Sequence, residues 1–250
     1  MEWTDSGIVL GARRHGESAE IVTALTQAHG RHAGLVRSAR RAAGTYEPGN
    51  LVSLRWRARL DEHLGNFTGE LVRSFAAAVL DDPLRLAGLA AACALVDAAL
   101  PEREPHDKVF ESLNALLAAI YEAKTPEWQS AFVRFEIDLL RDLGFGLDLS
   151  KCAATGTIEE LSFVSPKTGR AVSRDAGQPY CSKLLALPPF LTSNDVPPPS
   201  PRDVAEGLAL TGYFLERHVF APHGKTIPAA RARLIDRIAA SDNVAGAARA

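Results

Sequence analysis

The chain has 250 residues, 46% apolar, 23% charged and 7% aromatic, and its 28 Lys and Arg against 30 Asp and Glu give a formal net charge of -2. Such a composition excludes a disordered, collagenous or disulfide-scaffolded chain, and the length suffices for one large domain or two small ones with a sizeable core. The longest uncharged apolar run, Leu86 to Val96, falls far short of the ~20 residues a membrane span needs.

Up to about residue 80 the chain alternates short apolar runs with Gly and polar turns: Gly7 to Ala12, Ala19 to Leu25, His32 to Val36, Asn50 to Leu60 and Gly65 to Val72. These read as five strands. In the best-defined one, Val52, Leu54, Trp56, Ala58 and Leu60 share one face and Ser53, Arg55, Arg57 and Arg59 the other, the period of a half-buried strand. Five strands in so short a stretch predict a small closed or nearly closed barrel, since an open sheet would leave edges and an apolar face uncovered.

From Pro83 the period becomes helical. Helices are predicted over Leu84 to Leu100, Asp107 to Ala123 and Thr125 to Leu143, the last opened by Pro126 and stopped at Gly144. Farther on, Ser200 with Pro201 and Asp203 forms the start signal of a helix to about Val219, and a last helix follows Pro228. Between them, Leu161 to Ser165 and Arg170 to Ser173 flank a Pro-Lys-Thr-Gly turn and predict an inserted β-hairpin. The expected division is a barrel over 1–80, a helical part over 81–150, a hairpin module over 151–182 and a second helical part over 183–250.

Charge is unevenly distributed. Between residues 31 and 59 stand Arg31, Arg37, Arg40, Arg41, Arg55, Arg57 and Arg59 against Glu47 alone, a local balance of +6 that the rest of the chain offsets. Every cation before Lys108 is a guanidinium, whose planar fork suits phosphate. Three arginines at alternate strand positions repel one another, and an external anion would relieve them. Trp56 points inward, which leaves Tyr46 and Phe67 as candidate exposed rings. The expected grip is therefore on a phosphate backbone, with bases left free to pair.

Other motifs assemble no chemistry. Gly224-Lys225-Thr226 lacks the leading Gly and strand of a phosphate loop, and Lys167-Thr168-Gly169 has no S-x-x-K nucleophile to accompany it. Cys152 with Thr155, followed by a hairpin with Ser173 and Ala176, has the spacing of a zinc ribbon. Only one of those four positions is a ligand, so no metal or other cofactor is expected. Arg134 shares a helix face with Ile137, Asp138 and Arg141. Its residues suit either an Arg134–Asp138 ion pair or the cationic rim of a groove for a peptide ending in a carboxylate.

Several stretches together resemble the bacterial RecO family: His29-Gly30-Arg31 through Gly34-Leu35-Val36, Ala39-Arg40-Arg41, Glu47-Pro48-Gly49, Arg134-Phe135-Glu136 to Leu143-Gly144-Phe145-Gly146, and Cys152-Ala153-Ala154-Thr155-Gly156. The resemblance implies an α+β architecture: an N-terminal OB-fold, a helical domain, and an inserted module that here is a degenerate zinc ribbon. It implies a non-enzymatic DNA repair and recombination mediator that binds and anneals single-stranded DNA. The partners it implies are RecR, the acidic C-terminal tail of single-stranded DNA-binding protein (SSB) and, indirectly, RecA. By this likeness Arg37, Arg40 and Arg41 match the DNA-contacting loop, and Arg134, with Arg141 beside it, matches the SSB-tail helix. Arg31, Arg55, Arg57 and Arg59 extend the DNA surface from the charge pattern. Three cysteines without a pairing pattern and an N-terminus without a basic stretch predict a cytoplasmic, nucleoid-associated protein. The alternatives are an RNA-binding OB protein and a scaffold that binds only proteins.

Overall fold

A computed structural model describes residues 1–37, 44–193 and 197–247, with side chains up to Ser241. The chain forms two compact units, residues 1–121 with 228–234, and residues 122–227 with 235–250. This grouping cuts the chain differently from the changes of sequence period at residues 80, 150 and 182, because compactness follows packing whereas period follows element type.

The first unit begins with β1 (Glu2–His15), β2 (Ala19–Thr26), β3 (Gly30–Val36), β4 (Leu51–Arg57) and β5 (Asn66–Arg73), closed in the order β1-β2-β3-β5-β4 with β4 returning to β1. That is the OB-fold arrangement. β1 serves both edges of the seam: residues 2–8 pair with β4 and residues 7–15 with β2, and a bulge between Val9 and Gly11 bends the strand between them. Its first residues, Glu-Trp-Thr-Asp-Ser, lack apolar alternation and were not expected in a strand. Backbone pairing with β4 recruits them. Val9, Val22, Val36, Leu54, Trp56 and Phe67 fill the interior. Gly34 makes room for the Phe67 ring, whose nearest atom would lie 2.5 Å from an added Cβ.

One predicted strand is shorter than its pattern. β4 ends at Arg57, so Leu60 is exposed instead of facing the core, and Arg59 lies in the loop beyond. The Trp56 ring plugs this end of the barrel and donates Nε1–H to the Leu64 carbonyl. The chain turns around it through Gly65, which has φ +67°.

After the barrel come the single turn α1 (Phe75–Ala78), α2 (Pro83–Ala99) and α3 (Asp107–Glu122). Asp82 caps α2 by accepting from the Leu84 and Arg85 amides, and Pro83 occupies the first helical position. α2 packs on β1, where the Cys93 thiol lies 3.7 Å from the Val9 carbonyl oxygen.

The second unit contains α4 (Thr125–Asp142), β6 (Leu161–Val164), β7 (Ala171–Ser173), the single turn α5 (Arg174–Gly177), β8 (Leu185–Ala186) and α6 (Pro201–Phe214). α7 (Ala229–Ala247) follows Pro228. The hairpin β6–β7 is joined by β8 into a three-stranded sheet, one strand more than the sequence pattern indicates. Ser200 and Asp203 form the predicted capping box of α6, and that helix continues as a π-turn over Leu215–Phe220. Gly207 of α6 lies against Val133 of α4, and the Thr211 hydroxyl donates to the buried Glu136 carboxylate.

Candidate nucleic-acid interface and peptide groove

Strand alternation sets the outer face of the barrel. Val52, Leu54 and Trp56 are buried, and Ser53, Arg55 and Arg57 point outward. In register with them stand Ser6, Thr4 and Glu2 on β1 and Glu70, Thr68 and Asn66 on β5. The Glu2 carboxylate binds Arg55 and approaches Arg57 at 3.8 Å. One carboxylate thus serves two guanidinium groups that are 59% and 79% exposed, and a net positive charge remains there. Arg37, exposed just beyond β3, donates Nε–H to Asn66 Oδ1 at 3.2 Å. Since Asn66 is the register partner of Arg57, Arg37, Arg57 and Arg55 form one connected patch. Arg59 is exposed and has no ion pair among the described residues. Arg40 and Arg41 lie outside the described residues.

Two sequence expectations change here. Arg31 turns inward: Nε donates to the Leu100 carbonyl at 2.9 Å, and the guanidinium meets Asp97 at 3.1 Å and Glu102 at 3.4 Å. Its charge neighbours in sequence gave no sign of those distant carboxylates. Tyr46 and Phe67, the two candidate stacking rings, are instead 6% and 2% exposed inside the barrel. Phe67 faces inward because it pairs with Trp56 across the β4–β5 register. Neither ring is offered to a base.

Trp3 stacks on His29 at 4.2 Å, and the buried His32 sits edge-on between Trp3 and Trp56. Neither His32 ring nitrogen has a hydrogen-bond partner among the described residues. Burial, reinforced by the charge of Arg103, brings its pKa down to about 4. His32 is therefore a neutral core ring at neutral pH.

In the second unit, a groove of about 550 Å³ runs beside α4, edged by Arg134, Ile137 and Arg141 on one side and by Leu147, Phe190 and Thr192 on another. Arg134 is exposed, donates Nη2–H to the Phe190 carbonyl at 2.5 Å, and lies 5.7 Å from the Phe190 ring centre. Asp138 is engaged by Arg141 at 2.6 Å, an i,i+3 pair, in place of the Arg134–Asp138 pair that spacing also permits. The groove thus joins Ile137 and the nearly buried Leu147 and Phe190 to two guanidinium groups and to the carboxylates of Asp138 and Asp148, which also line it. Hydrogen bonds from the Ser150 hydroxyl and amide, with Arg170 beside it, hold the Asp148 carboxyl below the usual carboxylate range. Phe190 was missed from sequence; its signal is an aromatic placed directly after Pro188-Pro189.

At the ribbon-like module, the residues do not fit a zinc ion. The Cys152 sulfur accepts from the Ser173 amide at 3.3 Å, the Ser173 hydroxyl at 3.4 Å and the Thr155 amide at 3.5 Å. One thiol with two hydroxyl-bearing neighbours is not a tetrahedral N/S donor set, and the described residues contain no cluster of three His, Cys, Asp or Glu. Burial pushes the Cys152 thiol up, but the hydrogen bonds from Ser173 and Thr155 outweigh it and bring it down to about 6.

Comparison with known proteins settles the relationship. Residues 1–75 match the family described as Recombination protein O N terminal, and residues 80–227 match Recombination protein O C terminal. The chain belongs to the RecO family. It is 52% identical to the DNA repair protein RecO of Rhodospirillum centenum over 250 residues, covering 98% of both chains. Identity is 51% to the RecO of Rhodospirillum rubrum, covering 95% of this chain and 96% of the relative. It is 48% to the RecO of Caulobacter vibrioides, covering 98% and 100% respectively. RecO proteins are DNA repair and recombination proteins, and the match extends over both the barrel and the helical part.

Proposed function

We propose that this RecO chain is a cytoplasmic, non-enzymatic mediator that holds single-stranded DNA on the outer face of its OB barrel and promotes annealing. Arg37, Arg55, Arg57 and Arg59 contact phosphates, joined by Arg40 and Arg41, which lie outside the described residues and match the family's DNA-contacting stretch. The observation that carries this reading is the connected Arg37–Asn66–Arg57–Arg55 patch, in which Glu2 alone among the described residues is ion-paired to Arg55 and Arg57, with Glu70 one register pair farther along the same face. A cationic surface screens the repulsion between two strands. With Tyr46 and Phe67 buried, base edges stay available for complementary pairing. No bond is made or broken in such a step, and no nucleotide cofactor is called for.

The second half of the proposal concerns recruitment. The groove edged by Arg134 and Arg141 takes the acidic, aromatic-ended C-terminal tail of SSB, with Arg134 reading the terminal carboxylate and Phe190 and Leu147 receiving the aromatic ring. With RecR, the bound protein then helps load RecA onto SSB-coated DNA. Support for these partners comes from family membership and from the guanidinium groups that stand beside Leu147 and Phe190 in the groove.

Titration of fluorescent single-stranded DNA and RNA across a salt series tests the first half. The expected result is DNA binding whose logarithmic salt slope falls by roughly 0.7 for each phosphate contact removed, as in an Arg37→Ala, Arg40→Ala, Arg41→Ala variant. No binding to either nucleic acid would identify a protein scaffold, and a marked RNA preference would identify an RNA-binding protein. For the second half, Arg134→Ala should weaken binding of an SSB tail peptide and spare naked DNA. If both variants lose the same activity, the division of labour is wrong.

A further inference from the structure

The strand register runs one unbroken row of paired residues around the barrel. Starting on β1, Glu2 pairs with Arg57, Arg57 with Asn66, Asn66 with Leu35, Leu35 with Ile21, and Ile21 with Arg13, back on β1. The eleven-residue offset between Glu2 and Arg13 is the stagger that barrel closure imposes on a tilted set of strands. Directly paired residues share a face of the sheet. Arg13 therefore stands on the outer face, in the same row as Arg57, and Arg37 lies two residues beyond Leu35 on that face too. Its neighbour Arg14 pairs with Glu20, which pairs with the buried Val36. Arg14 thus belongs to the opposite face of the same strand.

Arg13 projects from an arm. Beyond the bulge, residues 12–15 of β1 and the turn after them are exposed. Arg13 has no ion pair among the described residues, so its charge is uncommitted, unlike that of Arg31 or Arg55. Four strand spacings separate Arg13 from Arg57 along the row, about 20 Å on the curved surface. That is enough for a few nucleotides of an extended strand. Between them the row holds Leu35, half-buried, and Ile21, 7% exposed, so the exposed cations of the row stand at its two ends, Arg57 and Arg13.

We infer that Arg13 is a further phosphate-contacting residue of the single-stranded DNA track, forming its far wall on the β1–β2 arm. The inference rests on the reading that the outer face binds single-stranded DNA. It adds the direction of the path, across the barrel from β4 over β5 and β3 to the arm.

The face assignment supplies the test. Anisotropy of a labelled oligodeoxythymidine is measured across a salt series for the full chain and for Arg13→Ala, Arg13→Glu and Arg14→Ala, each first shown to melt like the parent. Arg13→Ala should bind about fivefold more weakly near 0.1 M salt, with a slope about 0.7 smaller. Arg13→Glu should bind more weakly still, while Arg14→Ala stays within twofold of the parent. A parent that binds and an Arg13→Ala variant indistinguishable from it would overturn the inference and leave the DNA-binding reading standing. Equal losses for Arg13→Ala and Arg14→Ala would also overturn it, since bulk charge and not the outer face would then be responsible. A parent that leaves the oligonucleotide unbound sinks the DNA-binding reading itself.

Discussion

Arg37 donates its Nε proton to the side-chain oxygen of Asn66 at 3.2 Å, so a residue just past β3 is held against the first residue of β5. The contact uses one of five guanidinium protons and leaves the forked end of the group unspent. Replacing Asn66 by Asp would turn that hydrogen bond into an ion pair and add a negative charge beside Arg57. Asn66→Asp is expected to lower affinity for single-stranded DNA by about tenfold near physiological salt, with a shallower salt slope. Asn66→Ala should change it less than threefold.

Arg31 should behave in the opposite way. Its guanidinium is 18% exposed and bound to Asp97, Glu102 and the Leu100 carbonyl. Arg31→Ala removes the donor of the Leu100 carbonyl, while Asp97 and Glu102, 44% and 58% exposed, are rehydrated, for a cost of about 1 kcal/mol. Denaturant unfolding should register the loss while the DNA salt slope stays unchanged. A variant that keeps its stability but loses DNA affinity would return Arg31 to the interface.

His32 predicts acid sensitivity. The imidazole titrates at about 4 in the folded chain against 6.5 when unfolded. Both states are neutral at pH 7. As pH falls below 6.5, the unfolded chain takes up a proton that the folded chain excludes, so stability declines until about pH 4, by at most on the order of 3 kcal/mol. His32→Phe, which keeps an aromatic ring against Trp3 and Trp56, should flatten this part of the pH profile in chemical denaturation. An unchanged profile would show that other groups dominate it.

Phe190 ties the groove to the core. It is 4% exposed and supplies both a ring and a carbonyl to Arg134. Phe190→Ala should cost about 3–5 kcal/mol of stability and weaken SSB-peptide binding. The single change Arg134→Ala should weaken peptide binding with little effect on the melting temperature.

Cys152 should matter without metal. Removing its sulfur in Cys152→Ala deprives the Ser173 and Thr155 donors of their shared acceptor, for a loss of about 1–3 kcal/mol. A chelator should leave the melting temperature of the parent unmoved, and so should added zinc.

Local pattern revealed most of the architecture. The Val52-Leu54-Trp56 alternation marked β4, and the Ser200-Pro201-Asp203 signal marked the start of α6 to the residue. What local pattern could not reveal is where a long-range partner stands. Arg31 looks like its neighbours Arg37 and Arg57 until the chain around residue 100 brings two carboxylates to it. Leu60 and Arg59 continue the period of β4, but Trp56 closes the barrel and the chain turns around the ring, so period alone overextends the strand. Arg13 was overlooked for the same reason: nothing nearby in sequence reports that barrel closure places it in a row with Arg57.

The shared carboxylate of Glu2 has a kinetic meaning. If Arg55 and Arg57 hold phosphates as proposed, each phosphate competes there with an acid on the adjacent strand that already neutralises part of their charge. That competition would lower affinity at these two positions and shorten the stay of a bound strand. Such a surface is suited to holding a strand briefly and surrendering it to the next protein in line.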